Sequence, residues 1–336
     1  MYNLVLSGGG FRTLLHIGAL KTLEEQNLLK NIKNYGGSSA GSIIVFLLCI
    51  GYNYNDLIIM FLKINVDKLY DINDIFEFLN IYGLIHFAPL EKLLRVLLDN
   101  KLKKKYMTFN ELYNLTEKTL HINSINLNTS EEIIFNYINT PNIDIIDACV
   151  ASCSLPFIFP PKIINNEYYI DSFAVNTCPC NMFHNDLENT ICLTIDDINF
   201  KNDDKIDSFK NYIMSVFKSF SNYSYYNNIK IYKPKIIINL SYDCNPIDFD
   251  LSKNTLSDIF ITGYNTANTY FKNNPIEESK TEESKTEESK TEESKTEESK
   301  TEESKTEESK TEESKTEESK TEESKNEESK TEESKT

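Results

Sequence analysis

The chain has 336 residues, a net charge of −17 and 26% charged side chains. Most of the negative charge lies in one place: from residue 277 onward the sequence is twelve Glu-Glu-Ser-Lys-Thr pentads, with Asn326 replacing one Thr. The remainder is only mildly acidic, which argues against a nucleic-acid surface, and the longest apolar run, residues 43–50, falls far short of the roughly 20 residues that span a bilayer.

Residues 2–6 read as a short buried strand that breaks into Ser7-Gly8-Gly9-Gly10-Phe11-Arg12. A helix follows from about 13 to 27, where Leu14, Ile17, Gly18, Leu20 and Leu23 recur near helical spacing. Residues 32–35 fit a second strand running into Gly36-Gly37-Ser38-Ser39-Ala40-Gly41, and an apolar helix covers 43–50. Glycine is scarce, 10 in the chain, yet seven of the ten fall in these first 41 residues.

Residues 55–105 read as mostly helical, in pieces at 56–63, 72–78 and 89–98, either covering a site or forming an outer layer. Thr108-Phe109-Asn110-Glu111 carries the capping-box pattern and opens a helix to 118. Strands at 120–126 and 132–137 flank a turn at Asn128-Thr129-Ser130, and a helix spans 144–151. Pro156, Pro160 and Pro161 then force an extended loop before a strand at 168–171 that ends in Asp171. Short Ile-rich strands at 190–195 and 235–240 enclose a helix at 205–223, and the last helix covers 256–271. This alternation predicts an α/β domain over residues 1–275, with a mostly parallel sheet covered on both faces. The tail from 276 buries nothing through its pentads and is expected to be disordered. A chain ending near Asn274 is expected to keep its fold and activity.

Seven cysteines, at 49, 149, 153, 178, 180, 192 and 244, are odd in number and irregular in spacing. No basic segment precedes the first strand, so no signal peptide is read, and reduced thiols in a cytoplasmic compartment are expected. Cys178-Pro179-Cys180 is too tight, and too isolated from a second pair, for a zinc site. These cysteines read as buried free thiols, with no metal and no cofactor.

The chemistry points to the first 41 residues. Gly37-Ser38-Ser39-Ala40-Gly41 is a G-x-S-x-G frame between a strand and a helix, which exposes a serine hydroxyl at a sharp turn. Ser39 reads as a nucleophile for an acyl carbonyl, with backbone N–H groups of Gly8, Gly9 and Gly10, joined by that of Ala40, as an oxyanion hole. The base is open at this point. Asp171 followed by His184 matches a Ser…Asp…His order, but such elbows follow several strands and Ser39 follows one or two. None of the four histidines (16, 86, 121, 184) sits in a catalytic frame. The alternative is a two-residue site in which a carboxylate takes the serine proton.

Four blocks, in order, resemble the patatin-like phospholipases. Gly8-Gly9-Gly10-Phe11-Arg12 with His16-Ile17-Gly18-Ala19-Leu20 looks like their glycine loop, and Gly37 to Gly41 like their nucleophile elbow. Thr140-Pro141 through Ala151-Ser152-Cys153-Ser154-Leu155-Pro156 and Phe159-Pro160 resembles the block before their acid. Tyr169-Ile170-Asp171, with Asn176 and Pro179, falls where the family has its acid motif. The resemblance covers about 3–184. It implies a three-layer α/β/α fold, a Ser39–Asp171 dyad without histidine, an oxyanion loop of Gly8, Gly9 and Gly10 supported by Arg12, and hydrolysis of (lyso)phospholipid acyl esters at a membrane surface without metal or organic cofactor. Two family glycines are replaced, by Thr13 and Ser172. Either would be strained at positive φ, and Phe173 beyond them would wall the cleft. A site disabled there would leave a non-catalytic lipid-binding protein, and acyl transfer to an alcohol is the third reading.

Overall fold

The computed structural model describes residues 2–63, 75–195, 206–244 and 251–275. The pentads expected to be disordered, and the first residues of the helices expected from 72 and 205, lie outside the described residues.

Strands β1 (Tyr2–Leu6), β2 (Ile32–Gly37), β3 (Thr119–Asn126), β4 (Glu131–Phe135), β5 (Lys162–Ile164), β6 (Glu167–Ile170), β7 (Thr190–Ile195) and β8 (Ile236–Leu240) form one sheet. Its order is β5-β6-β3-β2-β1-β7-β8, with β4 also on β3. The run β3-β2-β1-β7-β8 is parallel throughout, and β4, β5 and β6 join antiparallel. β5 is a strand the sequence reading did not include. It is three residues long and forms a hairpin with β6 through Asn165 and Asn166, both at positive φ, a backbone that asparagine tolerates better than most residues.

The helices are α1 (Leu14–Glu25), α2 (Ala40–Cys49), α3 (Tyr54–Lys63), α4 (Ile75–Ile81), α5 (Ala88–Leu102), α6 (Phe109–Thr116), α7 (Ile145–Cys153), α8 (Phe209–Ile231) and α9 (Lys253–Asn273). The capping box forms as read: Glu111 N–H donates to Thr108 Oγ1 at 3.2 Å, and Thr108 N–H donates to the Glu111 carboxylate at 2.9 Å. Asp144 caps α7 by accepting from the N–H groups of Ile146 and Asp147.

Register sorts the central strands into two faces. Leu4, Leu6, Tyr35, Leu120, Ile122, Ile191, Leu193, Ile238 and Leu240 share one face, in a single core with α1, α2, α7 and α9. Val5, Cys192 and Ile237 point the other way and are covered by Tyr225 and Ile229 of α8. Both faces are thus dry, as parallel strands require. Helices α1 and α9 cross closely enough that a methyl on Gly18 would strike the Phe260 carbonyl, and one on Gly263 the Leu15 carbonyl. The helical segment after α2 divides its work. Helix α3 packs on α1 and α9 as an outer layer, whereas residues 84–85, between α4 and α5, hydrogen-bond to Phe157 and Ile158 beside the site.

Candidate active site

The site forms where β2 and β6 reach their C-terminal ends on either side of β3. Ser39 follows β2 and caps α2 at φ 50°, ψ −132°. A non-glycine residue in this region carries strain of about 1–3 kcal/mol, held by its surroundings. The holding contacts are specific. Ser39 N–H donates to Ser152 Oγ of α7 at 2.8 Å, Ser42 Oγ donates to Ser39 O at 2.6 Å, and Gly41 N–H donates to Ser38 O at 2.8 Å. The flanking glycines of the frame are spatial requirements. A methyl on Gly41 would strike the Ser7 and Leu6 carbonyls, and one on Gly37 would come within 2.7 Å of Ser42 Cα and Val45 Cγ2.

Asp171 lies just past β6, whose Ile170 pairs with Ile125 of β3. Its N–H donates to Ser154 O at 2.9 Å, at the end of α7, so one helix anchors both Ser39 and Asp171 through their backbone N–H groups. The carboxylate accepts the Phe173 N–H at 2.9 Å, and the nearby Ser39 hydroxyl favours its ionised form. Asp171 is buried. Burial pushes its carboxyl up to about 7, and the Ser39 and Phe173 groups pull only part of the way back. A carboxyl titrating there is suited to accept and return a proton near neutrality.

The glycine loop sits beside the serine. Gly8 is close enough that a methyl on it would come within 3.1 Å of Ser39 Cβ. Its N–H donates to Thr177 O at 3.1 Å. Gly8 therefore does not fit the donor role expected of it; its contribution is space and anchorage. The loop turns at Gly10 with φ 56°, a value at which glycine has no Cβ penalty. Among the described backbone bonds, the N–H groups of Gly9, Gly10 and Ala40 have no acceptor. Thr13 Oγ1 donates to Gly10 O at 2.7 Å, and buried Arg12 donates its N–H to Gly9 O at 3.1 Å. His16 is buried and bonds through Nε2 to Ser7 O at 3.0 Å. Its pKa is pushed down to about 4 by burial, so it stays neutral.

Neither replaced glycine is strained. Thr13 has φ −62°, and Ser172 is absent from the residues with positive φ. Ser172 instead adds bonds: its Oγ is 3.1 Å from Ser38 Oγ and donates to Asn176 O at 3.2 Å. His184 is exposed, with Nδ1 3.0 Å from Asn181 O, and is not among the partners of Asp171. Phe173, two residues past the acid, packs into an apolar cluster. Its ring meets Phe217 of α8 edge-on at 4.8 Å, and the cluster continues through Ile85 and Ile158. Phe157, Val175 and Phe220 are exposed, and the Phe220 ring lies 6.4 Å from that of Phe173. Ser152, Ser154 and Thr177 went unnoticed in the sequence as site residues, because their contacts are with residues far away along the chain.

Residues 4–184 match the family model described as patatin-like phospholipase. A protein of Invertebrate iridescent virus 6, named as a probable lipid hydrolase, is 33% identical over 75% of this chain and 84% of its own length. A protein of Acanthamoeba polyphaga mimivirus is 31% identical over 74% of this chain and 86% of its own. Triacylglycerol lipase 4 of Saccharomyces cerevisiae is 36% identical over 47% of this chain, which is 18% of that protein. Among solved structures, VipD from Legionella pneumophila superposes with a TM-score of 0.53 at 15% identity, over 81% of this chain and 67% of that one. At that identity the likeness speaks for the fold alone. Among the described residues, no helix is long and apolar enough to cross a membrane.

Proposed function

The chain belongs to the patatin-like phospholipase family, and from that premise we propose that Ser39 and Asp171 are a hydrolytic dyad acting on fatty-acyl esters of phospholipids or lysophospholipids at a membrane surface. The observation that carries this reading is a serine in a strained elbow held by α7 beside a buried carboxyl that the same helix anchors, that the serine hydroxyl helps keep ionised, and that titrates near 7.

In the proposed reaction, Asp171 takes the Ser39 proton as Oγ attacks the acyl carbonyl. The developing oxyanion is met by N–H groups of Gly9 and Gly10, with that of Ala40 at the N-terminus of α2. Gly8, Thr13 and Arg12 hold that loop in shape. Asp171 returns the proton to the leaving alcohol, then draws one from water as hydroxide attacks the acyl-enzyme, and hands it to Ser39 Oγ as the fatty acid leaves, which restores both residues. Every step uses the chain's own groups. The apolar wall of Phe173, Phe217, Ile85 and Ile158 supports an acyl chain as the group bound beside the serine. The backbone conformations of Thr13 and Ser172 remove the strain that motivated a non-catalytic reading.

A fluorophosphonate probe tests the dyad directly. Labelling is expected to vanish in Ser39→Ala, to collapse in Asp171→Asn and to persist in His184→Ala. Full labelling of Asp171→Asn would refute the reading. Because relatives are named as triacylglycerol lipases, a panel of phospholipids, lysophospholipids and triacylglycerols with product identification decides the substrate class.

A further inference from the structure

Three thiols meet under the glycine loop, on the sheet face that α8 covers. Cys178 and Cys180 lie on the segment after the acid loop, and Cys192 is in β7 opposite Val5 of β1. Their Sγ atoms are 2.8 Å apart for Cys178 and Cys192, 3.2 Å for Cys180 and Cys192, and 3.5 Å for Cys178 and Cys180. All three are fully buried, packed by Val5, Phe183, Tyr225, Ile229, Tyr232 and Ile237. Among the described residues this is where three His, Cys, Asp or Glu ligand atoms converge. The tight Cys178-Pro179-Cys180 spacing, unpromising alone, acquires its third sulfur only through the β1–β7 pairing.

We infer that Cys178, Cys180 and Cys192 form a binding site for a soft, three-coordinate monovalent ion of the copper(I) class. Donor type is the first argument. An all-sulfur set with no carboxylate or imidazole in its shell selects soft ions over magnesium or calcium. Coordination number separates copper(I) from zinc. Structural zinc sites close with four protein ligands and catalytic ones keep a water, and three sulfurs inside an apolar shell supply neither. Metal–sulfur bonds of about 2.3 Å place the sulfurs of a three-coordinate site roughly 4 Å apart, so the triangle must open by about 0.5–1.2 Å, most between Cys178 and Cys192. Cys178 lies in a bend and Cys180 in a short 3-10 turn, Cys180–Phe183, both outside the sheet that fixes Cys192, and these two are the ligands able to move. Met182 of that turn brings a second kind of soft sulfur to the same face: a methyl on Gly36 would come within 3.0 Å of its Sδ.

The site bears on the oxyanion loop through one residue. Thr177, next to Cys178, accepts the Gly8 N–H on its carbonyl and donates its own N–H to Ser224 Oγ of α8. An ion on Cys178 fixes that crossing point, so binding stabilises the fold without taking part in ester cleavage. Binding displaces thiol protons and strengthens with pH.

The test uses the full chain, reduced and kept free of oxygen, titrated with copper(I) in competition with a chromogenic copper(I) chelator. One ion per chain is expected, with luminescence from copper(I) held in a dry sulfur cage and a raised melting temperature. Uptake should fall at least tenfold in Cys178→Ser, Cys180→Ser and Cys192→Ser and persist in Cys244→Ser. Should the serine variants fail to fold, Cys192→Val keeps an apolar side chain in the pocket and is expected to lose the ion equally. No uptake by the reduced native chain, unchanged uptake by the triple serine variant, or displacement of copper(I) by equimolar zinc(II) would each overturn the assignment. So would a Cys178–Cys192 disulfide whose reduction yields no ion binding.

Discussion

The hydroxyls of Ser38 and Ser172 are 3.1 Å apart, so the residue before the nucleophile and the residue after the acid are joined side chain to side chain. Both are buried, and Ser172 passes the chain of bonds on to Asn176 O. The family glycine that Ser172 replaces could make no such link. Ser172→Ala is expected to cost about 1–3 kcal/mol of stability by leaving buried partners unmade. The expected kinetic effect is a drop in kcat of roughly tenfold with little change in KM, because the link sets the carboxylate rather than the substrate. Ser38→Ala should resemble it, and the double variant should be no worse than either alone. Additive losses would mean the two hydroxyls act separately.

The second prediction concerns pH. Asp171 works ionised, and burial pushes its carboxyl up to about 7. Below that pH the ionised fraction falls about tenfold per unit, so the rate of fluorophosphonate labelling should rise with slope one and level off above about 7. Labelling that stays flat from about pH 5 to 8 would exclude Asp171 as the base.

Stability carries the same group with the opposite sense. The unfolded carboxyl titrates at 3.8 and the folded one at about 7. Between those values the native chain holds a proton that the unfolded chain has lost, so stability declines as pH rises through this window and is lowest above it. Asp171→Asn removes that penalty. A gain of up to about 4 kcal/mol is expected at pH 8, shrinking towards pH 4, with activity abolished. Urea midpoints at the two pH values would check it.

Phe173 meets Phe217 at 4.8 Å and Phe220 at 6.4 Å. Truncating Phe173 to alanine should cost about 0.5–1.5 kcal/mol for the aromatic pair alone. It should also widen the acyl channel. Against a series of p-nitrophenyl esters, the preferred chain is expected to shift to bulkier or longer acyl groups, and an unchanged profile would place the acyl chain elsewhere.

Gly263→Ala tests the α1–α9 crossing. An added methyl meets the Leu15 carbonyl with no room to spare, and the expected loss is about 1–3 kcal/mol. For a domain of this size that is roughly 2–4 °C of melting temperature per kcal/mol. Because α1 begins at Leu14, directly behind the glycine loop, labelling of Ser39 should slow as well.

What could be read in the sequence was what is local. The capping box at Thr108, the elbow at Ser39 and the strand leading to Asp171, expected over 168–171 and found at Glu167–Ile170, are all set by neighbours within a few residues. Helix α8 runs on to Ile231, past the expected end at 223, and Asn228 Nδ2 in that added stretch bonds back to Ser224 O. Gly8 was misassigned for a different reason. Whether a backbone N–H is free depends on its acceptor, and Thr177 is brought to it only by the folded chain. The third thiol of the buried cluster was hidden in the same way.

Strand β3 has a consequence for how activity first appears. It pairs parallel with β2, which delivers Ser39, and antiparallel with β6, which delivers Asp171. A slip of one residue in the Ile125–Ile170 pairing would turn the acid's side chain to the opposite face of the sheet. Both pairings are long-range in sequence, and such contacts form late. The first turnover in a refolding experiment should therefore lag behind the appearance of helix and coincide with completion of β3, so that catalysis serves as a clock for the last step of folding.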